Sequence, residues 1–206
     1  MRDETIGKYL DDLADRIPAP GGGAVAALHA AQAAGLVAMV ARYTTGEKYT
    51  EHSEVVERIL LRAEELRGEA SELAEQDAAA FGAVADAYRL PRSTDDERAA
   101  RSAAIAGSLL AAARPPAAVI VVADYLVALT QDLLPIGNRN VISDVAAAAE
   151  AARAAAATAR VNVEVNLGGV RDETERRCLQ AVIDSVPAIL DRADAVALAV
   201  RGVINR

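Results

Sequence analysis

Three groups of residues in this 206-residue chain have types and spacings suited to chemistry. The first is Gly21-Gly22-Gly23, reached through Ile17-Pro18-Ala19-Pro20 and followed by helix formers from Ala24 to about Tyr43. Each proline disfavours α conformation in the residue before it, so the approach is extended. The glycines have no Cβ to block the close approach of another group. A helix starting there offers unpaired N–H groups and the positive end of its dipole beside an open loop, which suits an anionic or carbonyl-bearing group. A plainer reading competes with this one, a Gly-rich helix start that lets two backbones pack closely. The spacing is not that of a Walker loop, and no strand precedes the glycines.

The second group is a single carboxylate. Apolar positions Ile59, Ala63, Leu66, Ala70, Leu73, Ala80/Phe81, Val84 and Tyr88 recur at alternating steps of four and three, and Asp77 occupies the step between Leu73 and Ala80. A carboxylate on a core stripe must be hydrogen-bonded, paired or functional, because burying it bare is costly. An anchor for a loop amide or an arginine would satisfy the same demand. The third group is Asn138-Arg139-Asn140 with Ser143 and Asp144, a polar cluster in an otherwise apolar chain. For Asp144 the simple alternative is compensation of a helix dipole in a first turn.

The elements that must position these groups read as helices almost throughout. Asp3 to Arg16 has apolar residues at helical spacing and is stopped by the Pro-Gly loop. Ala24–Tyr43 is apolar on most faces and belongs at the centre of a bundle, with Thr44-Thr45-Gly46 ending it. A third helix runs from Glu51 to about Tyr88, and Leu90–Thr94 is a turn. Thr94-Asp95-Asp96-Glu97 is a capping box opening the fourth helix, which Arg114-Pro115-Pro116 should kink or divide. Residues 135–140 form a polar loop, and Ser143 or Asn140 caps an alanine helix from Asp144 to about Arg160. Val161–Leu167 alternates with period two, as a strand would, but has no other strand to pair with. It is therefore expected to be irregular or helical, with Asn162 and Asn166 on one face. Gly168-Gly169 precedes a last helix, Asp172–Ile204, which Pro187 should bend. The expected fold is all-α, one domain over residues 1–206, with about six or seven helices, some of them long and kinked.

Composition narrows the function. Hydrophobic residues make up 52% and aromatics 3%, so the interior is built from Ala, Val, Leu and Ile. A net charge of -8 argues against nucleic acid as a partner. The runs 24–41 and 117–134 raise the membrane question, but the first carries His29 and Gln32 and the second Asp124 and Asp132. Both are expected to be buried helices, with no membrane partner. Cys178 is the one cysteine, so no internal disulfide forms; with no signal peptide visible at the N-terminus, a reducing cytoplasm is the expected compartment. His29 and His52 are too isolated for a zinc site, and no metal is expected.

The words of the chain also resemble a known family. Pro18-Ala19-Pro20-Gly21-Gly22-Gly23, then Asp77 to Phe81 with Leu90-Pro91, then Gly137 to Asp144, then Asn162 to Leu167 follow, in order, the pattern of the cyclodeaminase/cyclohydrolase folate enzymes. The family includes the C-terminal half of formiminotransferase-cyclodeaminase and stand-alone methenyltetrahydrofolate cyclohydrolases. The chain departs from it at Ala24, where Ser is usual, at Thr158, where Gly is usual, and at His29 and Gln32, where core or interface pairing is the expected role.

The resemblance implies an enzyme acting on a tetrahydrofolate one-carbon substrate, with no cofactor beyond that substrate. It implies hydrolysis of 5,10-methenyltetrahydrofolate to the 10-formyl form. The alternatives are cyclodeamination of formiminotetrahydrofolate with ammonia release, action on another cyclic amidine or imine, and a non-catalytic helical partner protein. On this reading Asp77 and Asp144 are the catalytic carboxylates and converge on the glycine loop. Gly21, Gly22, Gly23, Asn138, Asn140 and Asn166 hold the substrate, while Lys48, Arg42 or Arg139 meets its glutamate tail. The unpaired apolar faces, together with the family's oligomeric habit, imply at least a homodimer.

Overall fold

The computed structural model describes residues 3–205. They form six α-helices, two short 3-10 helices and no strand. The helices are α1 (Ile6–Ala14), α2 (Gly22–Tyr43), α3 (Ser53–Arg89), α4 (Asp95–Ile136), α5 (Ile142–Leu167) and α6 (Glu173–Ile204). The 3-10 turns, Glu47–His52 and Arg139–Val141, lead into α3 and α5.

Helix α2 lies at the centre and packs against α3, α4 and α5. Its buried face is nearly all alanine, from Ala24 through Ala27, Ala30 and Ala34 to Ala41. The buried face of α5 is similar, running Ala148, Ala152, Ala155 and Ala159. Small side chains let the two axes come close, so a larger residue at Ala30 or Ala152 would overpack the seam at about 1–3 kcal/mol. Helices α2 and α4 are long and apolar enough to cross a membrane, yet half or more of each apolar window is buried inside the bundle. Helix α1 stands apart: it buries no residue, and Ile6 and Leu10 face outward.

The capping box at Thr94 forms as expected, with Thr94 accepting from the Glu97 N–H and Glu97 accepting from the Thr94 N–H. Gly46 ends the α2 region at φ 95°, a conformation that favours glycine. The division expected at Pro115-Pro116 does not occur, and α4 runs through both prolines. Pro116 has no N–H to give the carbonyl of Ala112, four residues back. The Asn166 side-chain amide supplies the missing donor at 3.3 Å, so the neighbouring helix makes good the lost bond. Residues 161–167 continue α5 as helix, as the lack of a partner strand requires.

Candidate functional site

The glycine loop, the middle of α3 and the C-terminal end of α5 meet around a cavity of about 630 Å³. Helix α2 begins at Gly21 in extended conformation, with no side chain to cap it, and Val25 N–H makes the first helical bond to the Gly21 carbonyl. The N–H groups of Gly22, Gly23 and Ala24 are therefore left over. Asp77, reaching across from α3, accepts from the Ala24 N–H. Gly22 and Gly23 keep N–H groups with no acceptor among the described residues.

The close fit explains the glycines. A Cβ on Gly23 would come within 2.6 Å of Asp77 Oδ2 and closer still to the rest of its carboxylate. At Gly22 it would lie 3.2 Å from Asn162 Nδ2, and at Gly21 it would meet nothing. So Gly23 makes room for a carboxylate, Gly22 for an amide, and Gly21 faces open space. Burial pushes the Asp77 carboxyl above its ordinary range, and the Ala24 N–H offsets this only in part.

The rest of the wall is apolar and aromatic. Phe81, Val84 and Tyr88 follow Asp77 along one face of α3, and Leu109 and Ala112 come from α4. Sequence spacing put Phe81 and Tyr88 on the core stripe, but they are 50% and 52% exposed. The stripe is buried as far as Ala74, and beyond Asp77 it faces the cavity. Helix α5 contributes Asn162, Val165 and Asn166. The Asn162 amide donates to the Thr158 carbonyl at 2.8 Å, and Asn166 donates to the Asn162 and Ala112 carbonyls. Both amide N–H₂ groups are thus tied to backbone, and their oxygens are what they can offer a ligand.

Of the residues expected from sequence, Gly21, Gly22, Gly23, Asp77 and Asn166 line this one cavity. Asp144 does not join them within one chain. It lies in the first turn of α5, while Asn162 is near the other end, about 27 Å away at 1.5 Å per residue. Asn138 sits at the Asp144 end and is occupied there. Its N–H donates to Thr44 Oγ1, its side-chain amide to the Tyr43 carbonyl, and its Oδ1 accepts from the Asn140 N–H. These bonds tie the end of α2 to the α4–α5 connection, a structural job. Asn140 is exposed, and so is Lys48, whose ammonium lies 5.1 Å from the Tyr49 ring centre. Arg42 is paired with Glu64. None of these groups, nor Arg139, borders the Asp77 cavity.

Asn162, Phe81 and Tyr88 are the site residues that sequence reasoning missed. Asn162 had a signal, since it stands one helical turn from Asn166. His29 is half-buried, and Gln32 lines a separate cleft with Tyr9, Arg67 and Ser71. No group of three or more His, Cys, Asp or Glu residues fit to hold a metal ion occurs among the described residues.

Comparison with known proteins follows the same lines. Residues 5–185 match the family profile described as formiminotransferase-cyclodeaminase. The chain is 40% identical over 170 residues to a methenyltetrahydrofolate cyclohydrolase of Methylorubrum extorquens, covering 82% of each protein. It is 30% identical over 174 residues to the formimidoyltransferase-cyclodeaminase of Mus musculus, covering 84% of this chain but 32% of that longer one. The crystal structure of a formiminotetrahydrofolate cyclodeaminase from Thermotoga maritima superposes with a TM-score of 0.87 at 31% identity, covering 98% of both chains.

Proposed function

This chain belongs to the formiminotransferase-cyclodeaminase family, and from that premise we propose that it is a folate one-carbon enzyme hydrolysing 5,10-methenyltetrahydrofolate to 10-formyltetrahydrofolate. The observation that carries the reading is a half-buried carboxylate, Asp77, with raised proton affinity, set at the head of an apolar and aromatic cavity. The substrate's reacting carbon lies between two nitrogens that share a positive charge. An ionised Asp77 stabilises that charge in a poorly solvated site. It then takes a proton from the attacking water as the C–O bond forms, giving a neutral hydroxyl adduct. Loss of the hydroxyl proton, with its return to N5, breaks the C–N5 bond and leaves the formyl group on N10. One proton is released overall. A carboxyl whose affinity is moved towards neutrality suits both directions of transfer. The Gly22 and Gly23 N–H groups and the Asn162 and Asn166 oxygens are placed to hold the polar edge of the pterin, and Phe81 and Tyr88 to flank its rings. The chemistry calls on no cofactor besides the folate itself.

Cyclodeamination of formiminotetrahydrofolate is the second reading, supported by the likeness to the Thermotoga structure. The higher identity to the Methylorubrum cyclohydrolase supports hydrolysis. Self-association to at least a dimer belongs to the same proposal, supported by exposed Ile6, Leu10, Val161 and Val165. A cytoplasmic location goes with it, supported by the single free, exposed Cys178. The test is the absorbance decay of methenyltetrahydrofolate with protein and with buffer alone, beside an ammonia assay on the formimino substrate. Hydrolysis predicts accelerated decay; unchanged decay with ammonia release selects the deaminase.

A further inference from the structure

The cavity is graded along its length. Asp77 stands at one end, Phe81 and Val84 follow, and Tyr88 lies three helical turns on, about 16 Å along α3. At the Tyr88 end the character changes from apolar to cationic. The Arg101 guanidinium lies 5.5 Å from the Tyr88 ring centre and donates to the Tyr88 carbonyl from Nε and Nη2 at 3.3 and 3.0 Å. Arg171 follows the cavity-lining Gly168-Gly169 by two residues and donates to the hydroxyl of Ser102, the neighbour of Arg101. Two separate segments thus bring two guanidinium groups to one rim.

Neither arginine has a carboxylate partner among the described residues, in a protein of net charge -8 whose other arginines are largely paired, as Arg42, Arg67, Arg98 and Arg114 are. The nearest acid in sequence, Asp172, is occupied in capping α6, where it accepts from the Thr174 and Glu175 N–H groups. Each guanidinium has five N–H donors, and the bonds above leave several free. A planar donor fork of this kind is matched by a carboxylate.

From this we infer that Arg101 and Arg171 form a subsite for the carboxylates of the substrate's glutamyl tail, and that they make the enzyme selective for tails of more than one glutamate. The inference rests on the folate reading above and deepens it. A folate runs in one direction from its reacting pterin, through an aromatic ring, to a string of carboxylates, and the cavity runs from Asp77, past Phe81 and Tyr88, to the two arginines in the same order. The cations expected for the tail from sequence, Lys48, Arg42 and Arg139, do not border this cavity, so Arg101 and Arg171 take their place.

The test is calorimetric binding of 5-formyltetrahydrofolate, which the enzyme is not asked to turn over, as its monoglutamate and its tri-γ-glutamate, to the full chain. Wild type should bind the triglutamate about tenfold or more tighter, the range for added bonds to a charged group. Arg171→Gln, at an exposed position, should fold normally and bring the ratio to within about twofold, as should raising the salt on wild type. Arg101→Gln should do likewise, and Arg171→Gln keeps the test decisive if the lost Tyr88 contact unfolds that variant. Equal affinity for the two tails in wild type, or a ratio unchanged by Arg171→Gln, overturns the tail subsite while leaving the folate reading intact. Binding of neither form overturns the folate reading, and the subsite with it.

Discussion

Alanine placed in turn at Gly21, Gly22 and Gly23 should produce three graded outcomes. At Gly23 the added methyl would sit within 2.6 Å of the whole Asp77 carboxylate, so the group must retreat to 3.4 Å or more, where ordinary contact begins. That retreat removes the bond from the Ala24 N–H and displaces the proposed base by close to an ångström or more. Misplacement on that scale costs about 10²-fold in rate. The fold should suffer little. Loss of a hydrogen bond to a charged group costs about 1.5–3 kcal/mol, and replacing glycine in a helix returns up to about 1 kcal/mol. The net is a fall in Tm of a few degrees, at about 2–4 °C per kcal/mol for a chain of this size. At Gly22 the methyl would meet the Asn162 amide at 3.2 Å, which can give by a few tenths of an ångström, so kcat/KM should fall by about tenfold at most. Gly21→Ala meets nothing and should stay within about twofold of wild type. The assay is kcat/KM on methenyltetrahydrofolate beside a thermal melt. A Gly23→Ala variant of full activity, or a Gly21→Ala variant as damaged as Gly23→Ala, would refute the reasoning, the latter by showing that backbone freedom is what the loop supplies.

Other perturbations separate structure from chemistry. Asn166→Ala leaves the Ala112 carbonyl without a donor inside α4 and should cost about 1–3 kcal/mol in denaturant unfolding, whatever it does to turnover. Asp144→Asn should cost about 0.5 kcal/mol through the α5 dipole and leave turnover within about twofold, since this end of α5 lies far from Asp77. A hundredfold loss of activity in Asp144→Asn would contradict a site completed within one chain. For Asp77 the sign of the pH effect follows from its raised affinity. Below the unfolded carboxylate pKa of about 3.9 both states hold the proton and there is no penalty. As pH rises from there through the folded value, the native state keeps a proton that the unfolded state has released, and stability is lost. The stability difference between wild type and Asp77→Asn, followed by melts across this window, should therefore shift in favour of the variant as pH rises. A difference independent of pH would show that Asp77 ionises as freely as in the unfolded chain.

Much of the fold was legible because its signals are local. The α3 stripe, the Thr94 capping box and the stop at Gly46 each depend on residues within a few positions of one another. The continuity of α4 through Pro115 and Pro116 was not legible, because the group that repairs it, Asn166, comes from another helix 54 residues away in sequence. For the site, Asp77 betrayed itself as a charge on an apolar stripe. Phe81 and Tyr88 continue that stripe without interruption in sequence, and only tertiary structure shows that core ends and cavity begins beside Asp77. Asn138, Asn140 and Asp144 form as polar a cluster in sequence as any in the chain. Their polarity serves the junction of α2 with the α4–α5 connection, and nothing local distinguishes such a joint from a binding site.

The central claim is that Asp77 carries out the hydrolysis of methenyltetrahydrofolate in this cavity. It is tested most directly by comparing wild type with Asp77→Asn for acceleration of methenyltetrahydrofolate decay over the buffer rate, at saturating substrate and with folding checked by circular dichroism. The account predicts clear acceleration by wild type and a kcat lower by about 10²-fold or more in a folded Asp77→Asn, the range for losing a general acid–base. A folded Asp77→Asn with wild-type kcat would contradict it, leaving Asp77 as the cap of α2 and nothing more.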